Sequence, residues 1–286
     1  MVISIIGLGL IGGSLAIDMR EKGIAENIIG VDKSTKNAKD ALHIGLVDEI
    51  YDLDNAIKLA DLIIIAIPVD QTKKILPEIL DKINDTTVVM DVGSTKEGIC
   101  RIADQHKGRA NFVATHPIAG TENFGPLGAI RGLFNKKLTI ICDADKSSDF
   151  ARSKVESLYT MIGMKIINMN SKEHDLHAAY VSHLSHISSF TLGLTVLEIE
   201  KSEETIFELA GSGFASTVRL AKSSADMWAP IFEQNSHHLS IALGAYIDKL
   251  TLFKKYIENF ETDKIRNLIE EANDIRRILE GKELTT

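Results

Sequence analysis

Short apolar runs alternate with longer mixed segments through the first 169 positions. Val2–Ile6, Ile28–Val31, Leu62–Ile67, Thr87–Asp91, Phe112–Thr115, Leu138–Cys142 and Lys165–Ile167 are rich in Val and Ile, as strands buried on both faces are. The stretches between them predict helices over Ile11–Lys22, Thr35–Ile44, Asp70–Asp81, Thr95–Gln105 and Ser147–Met161. Alternating strand and helix predicts a mostly parallel sheet with helices on both faces. After about Met169 the pattern changes and no strand is predicted. Ser171–Ile199 repeats Leu176, Tyr180, Leu184, Ile187, Phe190, Leu194 and Leu197 at steps of three or four. That is one apolar stripe on a helix roughly 40 Å long. Further helices are expected at Glu204–Ala210, Ser216–Lys222, Met227–Glu258 and Thr262–Glu280, with Pro230 near a helix start and a frayed tail at 281–286.

Glycines sharpen the first strand–helix junction. Gly7, Gly9 and Gly12 form G-x-G-x-x-G directly after an apolar strand, and Asp32 ends the next strand, 20 residues after Gly12. In such a junction the first glycine permits the tight turn and the second lets a pyrophosphate approach the backbone. The third allows close helix–strand packing, and the N-terminus of the helix meets the phosphate charge. A carboxylate at Asp32 accepts both ribose hydroxyls and repels a 2′-phosphate, which favours NAD over NADP. Lys33 works against that preference. The expected fold is an α/β N-terminal Rossmann-like dinucleotide-binding domain, 1–169, followed by an all-α C-terminal domain, 170–286.

Length and charge narrow the function classes. At 286 residues, two domains are expected. The chain has 32 Lys+Arg against 40 Asp+Glu, a net charge of −8, which argues against nucleic acid as the main partner. No apolar run reaches 18 residues, so no membrane span is expected. The apolar N-terminus lacks a basic leader and reads as strand, turn and helix. Two cysteines, Cys100 and Cys142, cannot build a disulfide framework, so a reducing cytoplasm is expected.

Three strand ends carry unusual residues, and in an open α/β sheet ligands bind beyond those ends. Ile67-Pro68 stops one strand abruptly. Asp91-Val-Gly-Ser94-Thr-Lys96 follows another, and Thr115-His116-Pro117-Ile-Ala-Gly120 a third. Ser94 reads either as a helix cap or as a partner of His116 or of the nicotinamide ribose. Pro117 holds His116 extended. A neutral imidazole there can take a proton from a substrate hydroxyl as hydride leaves the same carbon; the alternative is a structural histidine. In the helical half, His183 and His186 share one helix face, flanking the stripe on the side of Asp175 and Ala179. They read as an interface pair. A metal site with His174 and His177 is disfavoured because helical spacing does not bring all four together. Arg219 follows a Gly211-Ser-Gly213-Phe214 turn and could bind a carboxylate or face solvent. His237 and His238 are assigned to a solvated or interface face, and Trp228 to core or interface.

Together these motifs resemble the prephenate dehydrogenase family, which includes arogenate and cyclohexadienyl dehydrogenases. The resemblance rests on Gly7-Leu-Gly-Leu-Ile-Gly-Gly-Ser14, Asp91-Val-Gly-Ser94 with Lys96, and His116-Pro-Ile-Ala-Gly120 with Glu122. It extends to Ser182-His-Leu-Ser-His186, Gly213-Phe214 with Arg219, and Asp226-Met-Trp228 with Asn235. It implies NAD-dependent oxidative decarboxylation of prephenate to 4-hydroxyphenylpyruvate, on the route to tyrosine, by a homodimer of interlocking C-terminal helices. By motif position His116 is the acceptor for the ring hydroxyl and Ser94 orients that histidine and the nicotinamide. Arg219 binds a substrate carboxylate, His186 and His183 line the pocket, and Glu122 sits at its mouth. Pro68 and Ser94 join Gly7, Gly9, Leu10, Ile11, Gly12 and Asp32 around the cofactor; no metal is implied. Some positions depart from the family pattern. Ser185 stands where Pro is common, Glu122-Asn123-Phe124 replaces a Glu-Lys-Ser run, and Ala215, Ser216 and Val218 replace Arg, Asp and Thr. Arogenate or dual specificity is the alternative substrate reading. A β-hydroxyacid dehydrogenase or a non-catalytic NAD-binding redox sensor is a more distant one.

Overall fold

The computed structural model describes residues 1–121, 123–200 and 210–280. Eight strands form one sheet in the order β3-β2-β1-β4-β5-β6-β7-β8: β1 Val2–Ile6, β2 Asn27–Val31, β3 Glu49–Ile50, β4 Leu62–Ile65, β5 Val88–Asp91, β6 Phe112–Ile118, β7 Leu138–Cys142 and β8 Lys165–Met169. All neighbours run parallel except β6 and β7. The all-apolar strand sequences follow from two-sided burial. Ile3, Ile5, Leu62, Ile64, Met90 and Val113 enter one core cluster, while Ile63, Ile65, Val89, Phe112 and Ala114 enter the other. The first face is covered by α1 Leu10–Glu21, α2 Thr35–His43 and, after three further helices, α6 Asp149–Met161. The second is covered by those three: α3 Leu53–Leu59, α4 Val69–Lys82 and α5 Glu97–Ala103.

Residues beyond the sheet form α7 Ser171–Ala178, a π turn Ala179–His183, α8 Leu184–Glu200, α9 Ser212–Thr217, a 3-10 turn Arg219–Lys222, α10 Ala225–Gln234, α11 Ser236–Glu258, α12 Thr262–Asn273 and α13 Ile275–Leu279. An α/β part followed by helices is the architecture the pattern predicts. By contact density, Met1–Leu239 form one compact unit and Ser240–Thr286 a second. The first includes α10, whose Trp228 and Ile231 pack into the second sheet-face cluster. Within the second unit, Lys249 pairs with Glu271 at 4.0 Å.

Several boundaries differ from the pattern, each for a physical reason. β3 is two residues long with one apolar side chain, too short to show a period. β4 stops at Ile65 rather than Ile67, and Pro68 stands at the N-cap position of α4. β6 runs on through His116 and Pro117 to Ile118, because these residues pair with β7 after β5 has ended at Asp91. His116 therefore lies inside an extended strand tip, opposite Ile140, not beyond it. The helix expected from Thr95 begins at Glu97, so Ser94 is no helix cap. The 171–199 helix contains a π turn, and Met227–Glu258 is two helices broken at Asn235. Pro230 lies inside α10, six residues into the helix, rather than near its start. Ser216–Lys222 is split between α9 and the 3-10 turn, and Thr262–Glu280 between α12 and α13. The expected helix at Glu204–Ala210 falls almost wholly outside the described residues, as does the tail at 281–286.

The β1–α1 turn bears out the steric argument for its glycines. Gly7 adopts φ +98°, a left-handed conformation in which a side chain would also overlap the carbonyl of Ala66. A methyl group on Gly12 would overlap the carbonyl oxygen of Gly7. Around Gly9, by contrast, a methyl would meet nothing within 4 Å. Gly12→Ala is expected to force β1 and α1 apart, lowering thermal stability and abolishing dinucleotide binding in a titration. Gly9→Ala should leave stability unchanged and weaken binding only. Equal melting temperatures for wild type and Gly12→Ala would contradict this.

Candidate active site

The strand order reverses between β1 and β4, and loops at the carboxyl ends of these strands and their neighbours form the site. Gly9 stands at the N-cap of α1, followed by Leu10 and Ile11. Asp32, just past β2, accepts from the backbone N–H of Leu8 at 3.0 Å and of Ser34 at 2.8 Å. The carboxylate is thus fixed beside the glycine turn. The open space over Gly9, the helix N-terminus and this acid fit a dinucleotide pyrophosphate and ribose. Pro68 opens α4 on the adjoining strand end.

The β5–α5 loop, which carries Ser94, is held by a buried ion pair. Lys96 is fully buried; its Nζ bonds the carboxylate of Asp91 and donates to the carbonyl of Thr115 at 2.7 Å. The loop is thereby tied to the residue preceding His116. Ser94 is half-buried, and its hydroxyl has no hydrogen-bond partner among the described residues, leaving it available to a ligand.

A second set of bonds ties the same loop to His116 through α7. Asp175, nearly inaccessible, accepts from the backbone N–H groups of Lys96 at 2.7 Å and Glu97 at 2.9 Å, capping α5 from 78 and 79 residues away in sequence. Asp175 also faces His174 Nδ1 at 2.7 Å, and His174 Nε2 lies 2.8 Å from His116 Nδ1. A carboxylate is acceptor only, so His174 donates from Nδ1 and accepts at Nε2. His116 then donates from Nδ1, which leaves the lone pair on Nε2. The chain Asp175–His174–His116 thus presets the tautomer a proton acceptor needs. Burial pushes the His116 pKa well below the usual imidazole value, with His174, Lys96 and His183 adding to the fall.

The π turn places His183. Asp175 and His183 are eight residues apart, which in an unbroken α-helix leaves them about 80° apart around the axis. A π turn takes about one residue more per turn and swings His183 back under Asp175. Asn235, at the break between α10 and α11, clamps the two: its Nδ2 donates to Asp175 O at 2.7 Å and lies 3.1 Å from His183 Nδ1. His183 therefore accepts at Nδ1 and carries its proton on Nε2. It is buried against Trp228, whose ring stacks on His186 with centroids 3.5 Å apart. His186 Nδ1 donates to Ser182 O at 3.0 Å. The pKa of His186 is lowered by burial; the hydrogen bond to Ser182 opposes the fall and the charge of Arg219 adds to it.

His116 is thus linked through His174, Asp175 and Asn235 to His183, His183 and His186 share Trp228, and the 3-10 turn that carries Arg219 packs on α8, where Ala221 meets Gly193. His183 is a packed, clamped residue rather than a freely presented one. Glu122 lies outside the described residues. His238, expected on a solvated or interface face, is buried and 3.4 Å from Glu97. The sequence reading assigned no role to Asp175 and treated His174 only as a possible metal ligand. Asn235 entered as a motif letter alone.

Burial draws the pKa of His183 down to about 4; Asp175 opposes the fall, and His174 and His186 add to it. The unfolded imidazole titrates near 6.5, so the folded state favours the neutral ring. This contribution is fully present above about pH 6.5 and is lost as pH falls through 4. Unfolding in urea at pH 7.5 and 4.5 is expected to show roughly 2–3 kcal/mol of lost stability from this one residue. His183→Gln should flatten that dependence. An unchanged pH dependence in the variant would count against the assignment.

Two family models cover the chain. "Prephenate dehydrogenase, nucleotide-binding domain" matches residues 15–168, and "Prephenate dehydrogenase, dimerization domain" matches residues 170–271.

The chain belongs to the prephenate dehydrogenase family.

Among its relatives, prephenate dehydrogenase of Bacillus subtilis is 30% identical over 273 residues, covering 94% of this chain and 74% of that one. Cyclohexadienyl dehydrogenase of Zymomonas mobilis is 27% identical over 279 residues, covering 97% and 95%. Prephenate dehydrogenase from A. aeolicus, solved with hydroxyphenyl propionate and NAD+, superposes with a TM-score of 0.88 at 26% identity, covering 98% of both chains. The chain is therefore an NAD-dependent dehydrogenase of this family. Among the described residues, no helix is long and apolar enough to cross a membrane.

Proposed function

We propose that this prephenate dehydrogenase family member oxidatively decarboxylates prephenate to 4-hydroxyphenylpyruvate with NAD. The observation that carries the reading is His116, neutral and held by His174 with its Nε2 lone pair free, on a strand tip beside a dinucleotide turn. Asp32 favours NAD, since a second carboxylate-facing phosphate on the ribose would meet a fixed negative charge. The cofactor supplies a hydride acceptor for the carbinol carbon. His116 Nε2 takes the hydroxyl proton, and Ser94 orients His116 and the nicotinamide. Arg219 pairs with a substrate carboxylate, His186 and the packed His183 shape the pocket wall, and Glu122 stands at its mouth. Gly7, Gly9, Leu10, Ile11, Gly12, Pro68 and Ser94 complete the cofactor contacts. Loss of the ring carboxylate as carbon dioxide is driven by aromatisation, so the residues mainly position the substrate and complement its charge.

We place the join near Met169, with the cofactor on 1–169 and substrate and dimer contacts on 170–286. A homodimer is supported by the dimerization-domain match and by exposed Leu194 and Leu197 on α8. Within 240–286, Ile247, Leu250 and Ile257 are exposed as well. Two free, buried thiols, Cys100 and Cys142, suit a reducing cytoplasm.

The decisive assay mixes protein, prephenate and NAD and follows absorbance at 340 nm, with 4-hydroxyphenylpyruvate identified as product. Arogenate and NADP are run alongside. Turnover of prephenate with NAD well above the other three combinations is expected. A folded, NAD-binding sample inactive on prephenate would falsify the reading, and activity on arogenate alone would move it to that substrate.

A further inference from the structure

The histidine relay does more than hold a ring. We propose that the proton His116 takes from the substrate hydroxyl is passed on, so that the charge comes to rest on His174 beside Asp175. The inference rests on the function proposed above. As the substrate O–H bond breaks, its proton bonds to His116 Nε2. The proton on His116 Nδ1 crosses to His174 Nε2 along the 2.8 Å hydrogen bond. His116 ends neutral with its proton on Nε2, and His174 ends as an imidazolium with both nitrogens protonated. The step consumes no further reactant. It reverses as the ring aromatises: loss of carbon dioxide leaves the electron pair on the ring oxygen as a phenolate, His116 Nε2 returns its proton to that oxygen to give the phenol of the product, and His116 recovers its Nδ1 proton from His174.

The surroundings of the two rings favour this direction. The side-chain partner of His116 is the uncharged His174 ring, 2.8 Å from its Nδ1, and among the described residues no carboxylate hydrogen-bonds or ion-pairs with it. His174 is 2.7 Å from the Asp175 carboxylate, whose own charge is held by two backbone N–H groups at the start of α5. A cation on His174 is paired and hydrogen-bonded within a dry interior; one on His116 has no carboxylate partner of its own. His174 and Asp175 are buried to 1% and 2% exposure, so solvent cannot substitute for them.

The test has one arm without substrate and one with it. In ¹⁵N-histidine NMR of the free protein, His116 is expected to be neutral with Nδ1 protonated, and His174 neutral with Nδ1 protonated. A proton on His116 Nε2 overturns the relay. In single-turnover NADH formation from prephenate in mixtures of light and heavy water, wild type is expected to give a bowed plot, because two protons move. His174→Gln preserves an acceptor for His116 Nδ1 but cannot take up a proton. It should give a straight plot and a rate lower by about tenfold or more, with KM little changed. A straight wild-type plot, or a His174→Gln rate within about twofold of wild type, overturns the relay. Should His174→Gln not fold, the wild-type plot and the tautomers decide. If wild type does not turn over prephenate, the function falls, and the tautomers, read without substrate, still decide the relay.

Discussion

Replacing His116 with asparagine is expected to lower kcat for prephenate by about 10²–10⁴-fold, with NAD affinity unchanged within about twofold. The size follows from the role. A positioned proton acceptor contributes in the transition state, where the hydroxyl proton is in flight and hydride departs from the same carbon. Asparagine keeps a donor near the place of Nδ1, so the hydrogen bond to His174 Nε2 and the pairing of β6 with β7 can persist. It has no basic nitrogen to replace Nε2. The glycine turn and Asp32 lie on other strand ends and are untouched. The readouts are steady-state kinetics at 340 nm and a calorimetric titration with NAD. Turnover within fivefold of wild type would remove His116 from its role, and joint loss of turnover and NAD binding would point to a collapsed site instead.

What could be read from the chain beforehand was local. Gly7, Gly9, Gly12 and Asp32 lie within 26 residues, and each is required by the turn, the helix packing or the ribose, so their spacing alone conveys the design. His116 was legible for a similar reason, since Pro117 beside it forces extension. The positioning residues were not legible, because their partners are distant. Asp175 caps a helix 78 residues back, and Asn235 joins Asp175 to His183 across 60 and 52 residues. A period of 3.6 also hides the π turn. That period puts His183 on the side of Asp175 but about 80° around the axis, and the extra residue in the turn closes that angle. Lys96 illustrates a third limit. A lysine five residues after an aspartate looks like an ordinary surface pair until both are found fully buried at the end of a central strand. Net charge changes meaning in the same way. A value of −8 first argues against nucleic acid, but with the dicarboxylate substrate proposed above it demands a locally positive site, and Arg219 is the residue proposed to supply that charge.

Lys96→Met is expected to be the most destabilising single change in the molecule outside the glycine turn, by about 3–5 kcal/mol. The ammonium neutralises Asp91 where neither group reaches water, and it satisfies the carbonyl of Thr115. Methionine matches the lysine stem in length and apolarity, so little packing is lost. The cost is a stranded carboxylate that retains only the backbone N–H groups of Gly93 at 2.9 Å and, at 3.4 Å, Thr115. For a unit of this size the loss corresponds to a melting temperature lower by roughly 6–20 °C. Combining Lys96→Met with Asp91→Leu removes the stranded charge. The double variant should regain about 1 kcal/mol or more, though not all of the loss, because Gly93 N and Thr115 O are then left without partners. Urea unfolding of wild type, both single variants and the double variant measures this coupling. If Lys96→Met stays within 1 kcal/mol of wild type, or the two substitutions simply add, then the pair does not hold the β5–α5 loop. The loop carrying Ser94 would then owe its place to the Asp175 cap alone.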